Sequence, residues 1–206
     1  MYKSLLVKGL ERLNIKLDDE KIEKLLAYHG LLVKWNKAFN LTAVRDPEAM
    51  ISRHLLDSLS ILPHVDGRRI LDVGTGPGLP GIPLAICFPD KELTLLDSNG
   101  KKTRFLTQAK IELKLENITP VQARIESFEA DEFDSITSRA FATLKDMVDG
   151  SIHLLKEGGH FYAMKGILPK EEIEALDDRV KVIERYALKV PGEEGERHLI
   201  KIKRCS

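Results

Sequence analysis

The chain has 206 residues, 43% of them hydrophobic, enough to bury one sizeable core or one core with a small extension. Lysine and arginine total 32 and aspartate and glutamate total 32, so the balanced charge excludes a globally basic nucleic-acid binder and confines any basic surface to local patches. The two cysteines, Cys87 and Cys205, stand in no metal-ligand or redox spacing, which fits a reducing compartment and gives no reason to expect a metal.

The first residues, MYKSLLVKGLERL, mix charge with leucine at helical spacing and lack the apolar block of a signal peptide. No apolar run approaches bilayer length, so the expectation is a soluble, cytoplasmic protein without a membrane partner. Ile22, Leu25, Leu26, His29, Leu32 and Val33 recur at three- and four-residue steps and predict a helix from about Asp18 to Lys37. An irregular joint, Lys37 to Asp46, leads to a second helix that opens at Asp46-Pro47 and carries Met50, Ile51, His54, Leu55 and Leu59 on one face. Residues 1–64 therefore read as an N-terminal helical cap.

From Arg69 the period changes. RILDVG, ELTLLD, ITPVQA, FDSITSRA and HFYAMKG read as strands with helical patterns between them, and the tail, KVIERYALKV then HLIKIKR, as a closing antiparallel hairpin. Residues 65–206 are thus expected to form a doubly wound α/β domain on a mostly parallel seven-stranded sheet.

The stretch ILDVGTGPGLPGIPL, Ile70 to Leu84, follows the first strand with Gly74, Gly76, Gly78 and Gly81. In an open parallel sheet the ligand lies outside the carboxyl ends of the strands, and glycine there admits close approach. A Walker loop is excluded because no glycine-lysine-Ser/Thr ending stands at the required distance. GPGLPG does satisfy the dinucleotide pattern, with Asp97 about where a ribose-binding carboxylate belongs. Against a pyrophosphate, Pro77, Pro80 and Pro83 each remove a backbone donor, and Asp72 would repel it. Asp72 instead suits a ligand with positive charge, such as the sulfonium and amino group of S-adenosylmethionine, and Asp97 can accept from both ribose hydroxyls. A nicotinamide oxidoreductase remains the rival on the motif.

DVGTGPGLPGIPL, together with LLDSNGKKTRFL, VQARIESF, ITSRAF and the upstream FNLTAVRDPEAMISRHLLDSL, resembles the ribosomal RNA small subunit methyltransferase G family, also called glucose-inhibited division protein B. The resemblance runs from about Leu25 to Lys201. It implies a bacterial cytoplasmic enzyme that moves a methyl group from S-adenosylmethionine to N7 of one guanine in 16S rRNA, and the zero net charge adds the expectation that the rRNA is met within the small ribosomal subunit or an assembly intermediate. It also implies that Gly74 and Leu79 line the methionine side of the donor pocket, that Asp97 takes the ribose, that Ile125 and Glu126 flank the adenine, and that Arg139 stands at the mouth of the fourth strand. A small-molecule methyltransferase and a non-catalytic RNA-binding assembly factor are the alternatives.

Guanine N7 carries a lone pair and no proton, so its methylation needs alignment but no general base. An arginine aimed at N7 would oppose the charge that develops there, so Arg139 is expected at O6, a phosphate or the donor's carboxylate. Asn40, Arg45 and His54 are expected to form a polar wall where the cap meets the pocket, with Asn40 and His54 joining Arg139 as catalytic candidates and Arg45 reaching RNA. His54 also reads as a core histidine. Lys101 and Lys102, with Arg104 beside them, make the densest basic cluster on the cofactor side and read either as an RNA contact or as a solvated helix face. Arg124 and Lys165 are the remaining candidates for RNA, while Trp35 and Phe39 are expected to anchor the cap helix.

Overall fold

A computed structural model describes residues 1–206. Seven strands make one sheet: β1 (Arg69–Val73), β2 (Glu92–Asp97), β3 (Ile118–Gln122), β4 (Phe133–Ser138), β5 (Leu155–Lys165), β6 (Val180–Leu188) and β7 (Arg197–Arg204). Their order is β3-β2-β1-β4-β5-β7-β6. The first five run parallel, and β7 inserts antiparallel between β5 and β6. The tail therefore does form a hairpin. The order turns back on itself between β1 and β4, which opens a crevice at their carboxyl ends.

The cap begins with α1 (Tyr2–Arg12) and α2 (Asp19–Phe39). The Asp18 side chain accepts from the Lys21 amide at the start of α2, and Asn40 ends the helix in the left-handed conformation, φ 51°. After the joint, Asp46 caps α3 (Pro47–Met50), with Pro47 in its first turn as expected. The helix then widens into a π-helical turn, Ile51–Leu56, before closing as α4 (Asp57–Leu59). Such turns carry an extra residue and re-aim the side chains around them. Here Asp57 and Ser58 turn inward with His54 and Leu55, so the segment has almost no solvent face.

The remaining helices are α5 (Gly81–Cys87), α6 (Gly100–Glu112), α7 (Leu144–Ser151) and α8 (Lys170–Glu174). Strand alternation assigns them to faces. Ile70, Tyr162, Met164 and Leu199 point to the side covered by α1, α2, α5 and α6, while Leu71, Val73, Phe161, Ala163 and Ile200 point to the side covered by α7. The first of these clusters holds 34 buried residues and runs unbroken from Leu6 in the cap to Leu199 in β7. The division expected at residues 64 and 65 therefore falls in a loop, but the core crosses it.

Trp35 stacks edge-on against Phe105 of α6, centroids 5.7 Å apart, and Phe39 packs on Trp35 at 5.1 Å. This anchors α2 to the sheet domain, as expected. Cys87 and Cys205 are both free, and burial pushes the Cys87 thiol up to about 12. No helix is long and apolar enough to cross a membrane.

Candidate active site at the carboxyl edge of the sheet

A cleft of about 250 Å³ opens over the ends of the first four strands. Gly74 forms its floor after β1, Asp97 its wall after β2, Arg124, Ile125 and Glu126 its far side after β3, and Phe141 its rim after β4. Gly74 has φ +63°, and a Cβ there would stand 2.4 Å from that of Ala140. Gly74→Ala adds about 1 kcal/mol of backbone strain and drives Ala140 into the cleft. We expect it to weaken S-adenosylhomocysteine binding about tenfold, or about 1.4 kcal/mol, by calorimetric titration.

Asp97 Oδ2 accepts from the Gly76 amide at 2.8 Å and Oδ1 from Asn99 at 2.9 Å. Each oxygen keeps a further lone pair, and the residue lines the cleft, so it can still accept from hydroxyls. Ile125 and Glu126 begin a short 3-10 turn beside it. These four residues, Gly74, Asp97, Ile125 and Glu126, line the same cleft.

Asp72 does not. It points to the α5 side of the sheet, is wholly buried, and holds the loop itself. Its Oδ2 accepts from Thr75 Oγ1 at 2.7 Å and the Gly81 amide at 2.8 Å, and its Oδ1 from Thr137 Oγ1 at 3.3 Å. Burial pushes its pKa up to about 7 against these hydrogen bonds. The expected charge contact with a cationic ligand is replaced by a structural role. Gly76, Gly78 and Leu79 likewise build the loop without lining the cleft, and Leu79 packs in the core at 5% exposure.

The loop closes off phosphate chemistry more completely than its prolines alone indicated. The Gly81 amide is taken by Asp72, the Ile82 amide by Gly78 O at 2.6 Å and the Leu84 amide by Pro80 O at 3.1 Å, and Pro83 has none. No donor at the start of α5 is left for a pyrophosphate. From the cap, buried Tyr28 donates to Pro77 O at 2.8 Å. Tyr28→Phe is expected to cost about 1 kcal/mol in urea unfolding and to loosen the loop.

Arg139 leads from β4 away from this cleft into a second one of about 300 Å³, between β4, the π-helical turn and the loop before β7. Asp57, with a side chain 5% exposed, receives Arg197 there through both oxygens, at 2.6 and 2.9 Å. Arg139 Nη1 lies 3.0 Å from Asp57 Oδ2 but out of line for a hydrogen bond, and it is buried with no other acceptor. Asp57 and Arg197 carried no sequence cue, since 140 residues separate them.

Most of the other candidates are placed apart from both clefts. His54 Nε2 meets Thr42 Oγ1 at 2.8 Å, and burial, followed by the Arg139 charge, pushes its pKa down to about 4, so it is a neutral packing residue near pH 7. Asn40 accepts from exposed Arg45 at 3.0 Å. The polar wall thus exists as two internal pairs, and neither Asn40 nor His54 lines the first cleft. Lys165 is spent inside the fold: it pairs with Glu172 at 2.9 Å and donates to Ala142 O at 3.1 Å, which braces the loop after β4. Lys101 and Lys102 open α6 at the surface, and Arg124 is exposed on the rim of the first cleft.

Comparison with known proteins identifies relatives of the chain. Residues 21–200 match the family described as rRNA small subunit methyltransferase G. A protein called ribosomal RNA small subunit methyltransferase G from Pseudomonas paraeruginosa is 55% identical over 203 residues, covering 98% of this chain and 95% of the relative. The one of the same name from Klebsiella pneumoniae is 55% identical over 195 residues, 94% of each. Among solved structures, TrmN from Thermus thermophilus superposes with a TM-score of 0.60 at 19% identity, over 83% of this chain and 52% of that one. M. jannaschii TYW2 in complex with AdoMet gives 0.56 at 18%, over 74% and 77%. Those likenesses show the shared methyltransferase fold. With match and fold in agreement over nearly its whole length, the chain belongs to the rRNA small subunit methyltransferase G family.

Proposed function

We propose that this chain transfers a methyl group from S-adenosylmethionine to N7 of one guanine of 16S rRNA in the bacterial cytoplasm. The observation that carries it is the pairing of a donor cleft holding a free-faced carboxylate, Asp97, with a polar, arginine-lined cleft on the other side of Arg139. The fit to the donor rests on the chain's own atoms: Asp97 offers lone pairs to ribose hydroxyls, Gly74 gives the cleft a floor without a side chain, and the start of α5 offers no free amide to a phosphate. Ile125 and Glu126 would flank the adenine, and Arg139, which lines the second cleft, would face the acceptor. The bound donor supplies an electrophilic methyl. The protein needs only to align N7 with it and keep water out, effects that together supply several kcal/mol. No base is required, which fits the absence of a nucleophile and base pair from both clefts.

Zero net charge bears on the acceptor, because proteins that grip free RNA by phosphates alone are normally basic. We infer that a small subunit or an assembly intermediate, which presents shape as well as charge, is the preferred acceptor. Tritiated methyl from S-adenosylmethionine is expected in 16S rRNA, more from partly assembled particles than from naked rRNA at moderate salt. Label in small metabolites alone would establish a small-molecule enzyme. Binding of the subunit without release of S-adenosylhomocysteine would establish an assembly factor.

A further inference from the structure

The second cleft has one apolar lining residue, Met164, and three arginines, Arg53, Arg139 and Arg197, against the carboxylates Asp57 and Glu193. Asp57 is saturated by the bidentate Arg197 fork and the neighbouring Arg139. Glu193 is held differently. Its single contact is Arg53 Nε at 3.3 Å, with the arginine side chain 57% exposed, an ion pair of the kind that contributes little. Arg53 lies on the π-helical turn, and the loop bearing Glu193 is pressed onto that turn: Gly192 has φ +87°, and a Cβ there would stand 2.7 Å from Ser52 Oγ. Arg53 thus has a fixed base and a weakly held counter-ion, while Arg139 has a buried nitrogen lacking an acceptor.

Building on the rRNA acceptor proposed above, we propose that this cleft binds a phosphodiester of the acceptor strand beside the target guanine, through Arg53 and Arg197, and that the Glu193 carboxylate stands in for that phosphate until RNA displaces it. A planar guanidinium presents parallel N–H donors that suit phosphate oxygens. Arg139 lines this cleft and the next residue, Ala140, lines the first, so a phosphate held here would direct its own nucleotide toward the methyl. It also supplies local positive charge to a chain with none in excess.

Glu193 gives the proposal a signature that a merely structural role lacks, because removing the two members of one ion pair should act in opposite directions. Arg53→Gln is expected to weaken binding of the wild-type enzyme's 16S rRNA substrate about tenfold, as loss of a charged contact does, and to make the salt dependence shallower by about one phosphate. Glu193→Gln is expected to tighten the same binding roughly threefold by removing a like charge from the phosphate's place. Both should leave S-adenosylhomocysteine affinity unchanged. RNA affinity is read by fluorescence anisotropy and KM by methyl transfer. Arg53→Gln within twofold of wild type, weakening by Glu193→Gln, or loss of donor affinity in Arg53→Gln would each overturn the phosphate site. A wild type that binds RNA but transfers no methyl would sink the function proposed above, and the anisotropy results would still decide the cleft.

Discussion

Asp57→Ala is expected to lower folding stability by about 3–5 kcal/mol, because it strips the counter-charge from two arginines at a buried position. For a chain of this size that corresponds to a fall in melting temperature of about 6–20 °C. The structural ground is that Asp57 lies on the cap, whereas Arg139 follows β4 and Arg197 opens β7. One carboxylate therefore ties the cap to both sheet elements that frame the second cleft. Asp57→Asn keeps the shape and one hydrogen-bond acceptor and should fall between wild type and alanine. Thermal unfolding of the three proteins checks this, and a loss under 1 kcal/mol for alanine would show that the arginines find water in place of Asp57.

The second large effect concerns pH and involves two buried groups of opposite sign. Asp72 has its pKa raised from 3.8 to about 7, chiefly by burial. Between about pH 4 and 7 the folded chain keeps a proton that the unfolded chain has released. Stability from this group is therefore fully present below pH 4 and is lost as pH rises, by up to about 1.4 kcal/mol per unit. His54 runs the other way, its pKa lowered from 6.5 to about 4 by burial and the nearby Arg139 charge. Across pH 4 to 6.5 the unfolded chain binds the proton and the folded one does not, so stability rises with pH. His29, His64 and His160, all lowered chiefly by burial, add to that rise.

In the wild type the two contributions offset each other. Asp72→Asn removes the falling one, so its stability should climb from pH 4.5 to 6.5 more steeply than wild type. His54→Gln should show the reverse. Urea midpoints at three pH values in that window separate the cases. An Asp72→Asn curve parallel to wild type would mean that Asp72 is ionised throughout, its hydrogen bonds from Thr75, Gly81 and Thr137 outweighing burial.

Much of this fold was legible in the sequence, for identifiable reasons. ELTLLD coincides with β2, and FDSITSRA contains all of β4, because buried parallel strands are short apolar runs with abrupt ends. The helix start at Asp46 was readable because capping depends on local chemistry. β5 begins five residues earlier than HFYAMKG indicates, since LKEGG carries two glycines and reads as a loop. The π-helical turn was hidden because its apolar residues fit ordinary helical spacing, and only the burial of Asp57 and Ser58 betrays the wider winding.

In the site, the residues that were legible lie within a few positions of a strand's end, as Gly74, Asp97 and Ile125 do. Asp72 was misassigned because its place at the end of β1 says nothing about which face it takes. Counting by twos from Ile70, which packs under α5 and α6, puts it on the loop's side. Lys165 reads as a free cation until the fold brings Glu172 to it. Asn40 and His54 were assigned to the pocket by their place in the cap, whereas Thr42 engages His54 Nε2 and Arg45 engages Asn40 locally.

Methyl transfer to small subunits isolated from cells lacking this gene, followed by borohydride and aniline cleavage, tests the central claim most directly. The expected result is one strand scission in 16S rRNA, marking a single 7-methylguanine that forms only with S-adenosylmethionine and this protein. Label in RNA without scission would place the methyl on another atom, and no label in RNA with donor binding intact would contradict the rRNA acceptor altogether.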